Sequence, residues 1–135
     1  MTIVVPNAGE VYALEAFVNR TTAQNHVLKL YKSNTTPAET DTAGTYTEAD
    51  FTGYASATLT GASWGAGSAG APSSIAYAQQ TFTSSAGGQN QNVYGYFHVR
   101  VTGGELYYAE RFSDGPYVIV NNGDAIKVTP TLTCD

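Results

Sequence analysis

The chain is short of charge. Asp, Glu, Lys and Arg make up 13% of its 135 residues, against roughly 25% in an average soluble domain. Six basic residues face eleven acids, for a net charge of −5, and the basic ones are scattered. Gripping a phosphate backbone takes clustered Lys and Arg that displace counterions, so no nucleic-acid partner is expected. Cysteine is nearly missing: Cys134 is the one copy, which excludes an internal disulfide and leaves a free thiol as the expectation. Long apolar runs are missing too, so no transmembrane span and no membrane partner is expected. The opening Met1-Thr2-Ile3-Val4-Val5-Pro6 lacks the basic start and long apolar core of a secretory signal. Folding in a cytoplasm follows as the expectation.

What the chain has instead is β-forming material. Hydrophobic residues reach 42%, with ten Tyr and fourteen Gly among abundant Thr and Ser. A surface so poor in charge must be covered by hydroxyl and amide groups. Such surfaces suit a protein packed against other subunits, and stable secreted β-proteins share the trait. The length is enough for one core without staples. We expect one domain over 1–135, with an N-terminal arm and helix at 1–22 and a Gly/Ala/Ser-rich loop at 61–74.

The helix is expected at about Ala8–Asn19, with Asn7 as cap and Glu10 at capping-box spacing. Val11, Leu14, Phe17 and Val18 then share one face. A helix this short cannot stand alone in water. Its apolar face must dock, either on its own sheet or on a neighbouring subunit. From His26 the period changes to two, with a strand over His26–Lys32. A polar, exposed connection is expected over Ala38–Asp50, then strands at Tyr54–Thr60 and Ile75–Thr83. Trp64, inside the small-residue loop, is costly to expose and is expected to be anchored.

The strongest alternation follows. Val93, Gly95, Phe97, Val99 and Val101 interleave with Tyr94, Tyr96, His98 and Arg100, and Thr102-Gly103-Gly104 turns into Glu105–Phe112 as a hairpin. Tyr117–Val120 and Ala125–Thr133 are read as a second hairpin across Asn121-Asn122-Gly123-Asp124, with Pro130 marking an edge or a bulge. Seven or eight strands in this length predict an all-β, two-sheet sandwich, with a jelly roll favoured, plus the one short N-terminal helix.

Constellations for chemistry are missing as well. His26 and His98 lack ligands at metal spacing, and His98 reads as a partly exposed sheet residue. No nucleophile elbow, phosphate loop or dinucleotide fingerprint occurs. The pairs Glu39/Asp41 and Glu48/Asp50 lack a calcium-loop pattern and read as solvated loop acids. Catalytic residues, metal ligands and cofactors are therefore expected to be none. Glu110 and Arg111 fall on opposite faces of a strand and should each meet a cross-strand partner. The sequons at Asn19 and Asn34 mean little without a secretory signal. Tyr94, Tyr96, Tyr107 and Tyr108 read either as a sugar-binding platform or as ordinary sheet packing.

Several stretches taken in order carry a resemblance. They are Ile3-Val4-Val5-Pro6-Asn7, the run from Thr45 to Tyr54, Val93-Tyr94-Gly95-Tyr96-Phe97, Ala109-Glu110-Arg111-Phe112, Gly115-Pro116-Tyr117, and Asn122-Gly123-Asp124 followed by Val128-Thr129-Pro130. Together they resemble a family of small virion proteins of tailed bacteriophages, cyanophages included. The motifs are turns and strand pairs rather than catalytic signatures. The resemblance implies a capsid decoration (cement) protein, made in the bacterial host cytoplasm and placed on the outer capsid surface of the virion. Its implied partners are the major capsid protein and further copies of itself, a trimer being favoured. The implied contacts are Ile3, Val4 and Val5 together with a tyrosine face of Tyr94, Tyr96 and Tyr107. The rival is a tail-fibre or receptor-binding module for a host glycan or protein. A flat apolar oligomer face would favour cement, and exposed aromatics beside acids in a groove would favour the rival.

Overall fold

A computed structural model describes residues 3–18, 20 and 22–134. The chain is mostly antiparallel β-structure with one short helix. Strand β1 (Ile3–Val4) leads into helix α1 (Asn7–Phe17), followed by β2 (His26–Tyr31), β3 (Ala57–Leu59), β4 (Ser73–Ala76), β5 (Gln80–Thr83) and β6 (Gln91–Val93). Then come β7 (Gly95–Arg100), β8 (Leu106–Arg111), β9 (Tyr117–Ile119), β10 (Ala125–Val128) and β11 (Thr131–Cys134). One sheet has five strands in the order β1-β8-β7-β2-β3, and the other strands pair as β10-β5, β11-β4 and β6-β9.

The hairpin expected from the alternation is the spine of the large sheet. Phe97 pairs with Ala109 and His98 with Tyr108, and a bulge follows between His98 and Val99. Both faces of this hairpin are covered. On one, Leu28, Leu30, Tyr96 and Tyr108 meet Phe82, Val93, Ile119, Ile126 and Val128 from the ribbons. On the other, Tyr31, Phe97, Val99, Leu106 and Ala109 form a smaller cluster closed by Tyr46. Alternation shows period two without saying which face is buried. Here both are.

Four expectations are corrected. The connection 38–50 is not simply exposed: Tyr46 stacks on Phe97 with ring centres 5.1 Å apart, and Ala49 is buried. Its polar residues make this possible, since the Tyr46 hydroxyl donates to Asp41 Oδ2 at 2.7 Å and so enters the core satisfied. Second, Ile75–Thr83 is two strands, because the chain steps out of the ladder at residues 77–79 opposite Pro130. Third, the turn at 121–124 forms, with Asp124 Oδ2 accepting from the amides of Val120 and Asn121 at 2.9 and 2.7 Å. The strands it joins diverge, however, β9 to β6 and β10 to β5, so they are not a hairpin. Last, the helix starts at Asn7 with Pro6 in the cap position and no side-chain cap. The Asn7 amide bonds the Glu39 carbonyl instead, at 3.1 Å, which removes the need for a capping hydroxyl. Asn19, the expected helix end, lies outside the described residues.

Trp64 is anchored as expected, packed against the larger core with its ring 5.3 Å from that of Tyr77. Glu110 also meets its cross-strand partner, accepting from the Tyr96 hydroxyl. Arg111, on the other face, bonds Asn34 Oδ1 and the Thr35 carbonyl at 2.7 and 2.9 Å. Gly95 is where the two cores press hardest on the backbone. A Cβ there would run into the carbonyl oxygen of Glu110 and the ring of the fully buried Tyr31. Gly95→Ala is accordingly expected to cost about 3 kcal/mol through overpacking, read as a lower urea midpoint at unchanged slope.

Candidate functional site

Helix α1 meets the sheet by its smallest residues. Gly9 is buried and so close to the backbone of Tyr107 that any side chain would collide with that carbonyl. One turn on, the Tyr12 ring stands edge-on to the Tyr107 ring at 4.7 Å, and the guanidinium of Arg100 lies over its other side at 4.9 Å. The Tyr12 hydroxyl accepts from the Gln24 amide at 2.8 Å. Gly9 and Tyr12 therefore form the seated side at helical spacing.

The side expected to dock is turned away. Val11, Leu14, Phe17 and Val18 are 56, 68, 89 and 67% exposed. The sequence pattern identified a coherent apolar face that had to dock on its own sheet or on a neighbouring subunit, and the first of these is not what the helix does. The reason is steric. A glycine at position 9 brings the helix axis nearer the sheet than Val11 or Leu14 could, so the face carrying Gly9, with Tyr12 one turn on, takes the contact. The result is an apolar stripe along a helix whose back is fixed, the kind of surface that marks interaction sites rather than ordinary exposure.

Beneath the helix the packing is aromatic and poorly hydrogen-bonded. The Tyr107 ring stacks on His26 at 4.0 Å, and His26 stands 5.8 Å from His98, which itself lies against Tyr108 at 4.0 Å. His98, expected to be partly exposed, is 0% exposed. The rings of His26, Tyr96 and Tyr108 packed around it account for the difference. His26 Nδ1, both nitrogens of His98 and the hydroxyls of Tyr107 and Tyr108 are buried without a hydrogen-bond partner among the described residues. Burial holds the His26 imidazole down at about 4. It holds His98 well below the usual histidine range, with His26 adding a smaller push in the same direction. Both rings are neutral at neutral pH. A cleft of about 320 Å³ runs between the helix and this seat, lined by Gly9, Tyr12, Ala13, His26, Tyr107 and Tyr108 among others.

The residues assigned to contacts are scattered by the fold. Tyr96 and Tyr107 are 3 and 5% exposed, so the surface they were expected to offer is used up in the core. Tyr94 faces the opposite way, with the Arg111 guanidinium 5.0 Å above its ring. The chain leaves the ladder between β6 and β7, and that break shifts the phase of the alternation at Tyr94. Ile3 and Val4 pair with Glu110 and Ala109 at the sheet edge, while Ile3 and Val5 pack against the larger core. With Tyr108 also buried, the four tyrosines form no surface platform.

A second surface was not anticipated. Tyr117 is 38% exposed, its ring 4.9 Å from Phe112, at a groove of about 430 Å³ that Ser113, Asp114, Lys127 and Thr129 also line. Nothing in the spacing of these residues signals the groove, because they come from two separate turns and a strand. The loop acids are mostly engaged: Glu48 pairs with Lys29 at 2.8 Å and Asp50 with Lys32 at 2.5 Å. Among the described residues no group of three His, Cys, Asp or Glu is placed to hold a metal ion, and no helix is long and apolar enough to cross a membrane.

The chain matches no protein-family model, no curated protein and no solved structure.

Placing Tyr96 inside has a measurable consequence. Its hydroxyl is the donor recorded for the buried Glu110 carboxylate. Tyr96→Phe is expected to leave that carboxylate without its partner and to cost about 2 kcal/mol. Chemical denaturation of the purified chain checks this; an unchanged midpoint would mean that Tyr96 faces outward.

Proposed function

We propose that this chain is a non-enzymatic assembly protein, a capsid decoration (cement) protein of a tailed bacteriophage. It would bind the outer shell of the virion through the exposed face of α1. The observation that carries the reading is that Val11, Leu14, Phe17 and Val18 stand exposed on a helix held from behind by Gly9 and Tyr12. Fully burying side chains of this size is worth on the order of 1.5–3 kcal/mol each, and the rigid back of the helix keeps the entropic cost of docking low. The partners are the major capsid protein and further copies of this chain, a trimer fitting the role. Many copies on a symmetric shell add avidity. The mechanism is adhesive: a clamp that spans subunits favours the closed shell over the opened one.

Nucleic acid is not a partner on this reading. Of the six basic residues, Arg20, Lys29, Lys32 and Arg100 sit in ion pairs and Arg111 is hydrogen-bonded to the 34–35 loop. That leaves Lys127. The architecture that goes with the role is a two-layer sandwich of jelly-roll type. Its support is the larger core, to which both the five-stranded sheet and the ribbons contribute.

One observation favours the rival. Tyr117 beside Asp114 and Lys127 in an open groove is the aromatic-and-polar combination that recognises sugars, and it supports a receptor-binding module for a host glycan.

The test mixes purified protein with tailless heads of the phage that encodes it. Saturable binding across the shell, with heads surviving higher temperature, is the expected result. Phe17→Glu and Leu14→Glu should abolish it by more than tenfold while changing monomer stability by no more than about 0.5 kcal/mol, since both positions are exposed. Attachment to tails or host cells, lost in Tyr117→Ala and kept in Phe17→Glu, would replace cement with the receptor-binding reading.

A further inference from the structure

We infer that the seat of α1 is an acid-sensitive latch: protonation of His26 frees the helix from the sheet while the sheet itself stays folded. This does not rest on the assembly reading; it concerns how α1 is held, whatever α1 binds.

The geometry is a stack. Tyr12 of the helix touches Tyr107 at 4.7 Å, Tyr107 covers His26 at 4.0 Å, and His26 neighbours His98 at 5.8 Å. Among the described residues no acid pairs with His26. From β7 it faces His98 and its cross-strand partner Arg100, from β8 Tyr107 and Tyr108, and from the 61–74 loop the Trp64 ring at 5.9 Å. From α1 comes Tyr12, by way of Tyr107. Glu105, near Tyr107, is paired with Arg100 at 3.4 Å. An imidazolium here would be largely desolvated and without an acceptor for Nδ1.

The cheapest relief is local. The cleft of about 320 Å³ between helix and seat means that this contact is incompletely filled, whereas the sheet below is covered on both faces. Lifting α1 would widen the cleft that the half-buried His26 faces, at the cost of the Gln24–Tyr12 and Asn7–Glu39 hydrogen bonds but of none in the β2–β7 or β7–β8 ladders. Local openings of this kind draw on the least stable part of a fold. The direction with pH follows from the sign of the shift. A histidine whose value is about 4 when covered and about 6.5 when free stabilises the covered state fully above 6.5. That contribution fades as pH falls toward 4, because the open state binds the extra proton.

The experiment follows backbone amides and the His26 ring of the full chain by NMR from pH 7.5 to 4, with exchange rates corrected for their intrinsic pH dependence. Protection of the α1 amides is expected to fall roughly a hundredfold by pH 4, in step with the His26 ring titration, while β7 and β8 keep theirs. His26→Phe preserves the stack without the charge and should hold the helix protected throughout. Three results would overturn the latch: α1 protection unchanged while His26 titrates, α1 and the sheet lost together, or the same acid release in His26→Phe. Should His26→Phe fail to fold, coincidence of helix release with the wild-type ring titration decides the matter, and separate midpoints sink the idea.

Discussion

The fold is organised by a single hairpin that has no solvent-facing side. With β7 and β8 covered on both faces, their side chains must fill two cores at once, and the backbone has no freedom to shift toward either. That constraint explains the glycine at position 95, the tyrosine–glutamate pair inside the larger core, and the recruitment of a polar loop to close the smaller one. It also explains why a helix approaching β8 finds little room and makes contact through a glycine.

Sequence alone made the hairpin legible, because Val93–Arg100 alternates cleanly and Gly103-Gly104 breaks the run where the chain reverses. The anchoring of Trp64 was legible as a property of one residue type, whereas the run Ala125–Thr133, read as one strand with an edge or a bulge at Pro130, is divided there into β10 and β11. What period two cannot reveal is which side is wet. A strand buried on both faces alternates like one buried on one face when tyrosine and histidine serve as core residues. Three of the four tyrosines read as a platform are packed inside as a result.

The helix shows a different limit. Its apolar face was legible from spacing, but the direction of that face depended on how closely Gly9 allows the backbone to approach Tyr107, and no local pattern encodes a tertiary distance. The groove at Tyr117 was invisible for a related reason. Its walls come from the β8–β9 turn, the start of β9 and the end of β10, which meet only after β9 and β10 have gone to different partners.

That divergence of β9 and β10 also governs how the chain can fold. The strand at Gln80–Thr83 waits for residues 125–128 and the one at Ser73–Ala76 for residues 131–134, while β2 waits for β7. Pairings this distant in sequence close slowly, because the entropy of each loop is lost before any contact compensates it. A chain still emerging from the ribosome can hold the β7–β8 hairpin beside β2 and the Tyr46 loop, but lacks Ile119, Ile126 and Val128, which complete the larger core. The larger core is therefore assembled after synthesis has passed residue 128. Until then, its tyrosines and valines depend on dilution or a chaperone to stay apart from those of other chains.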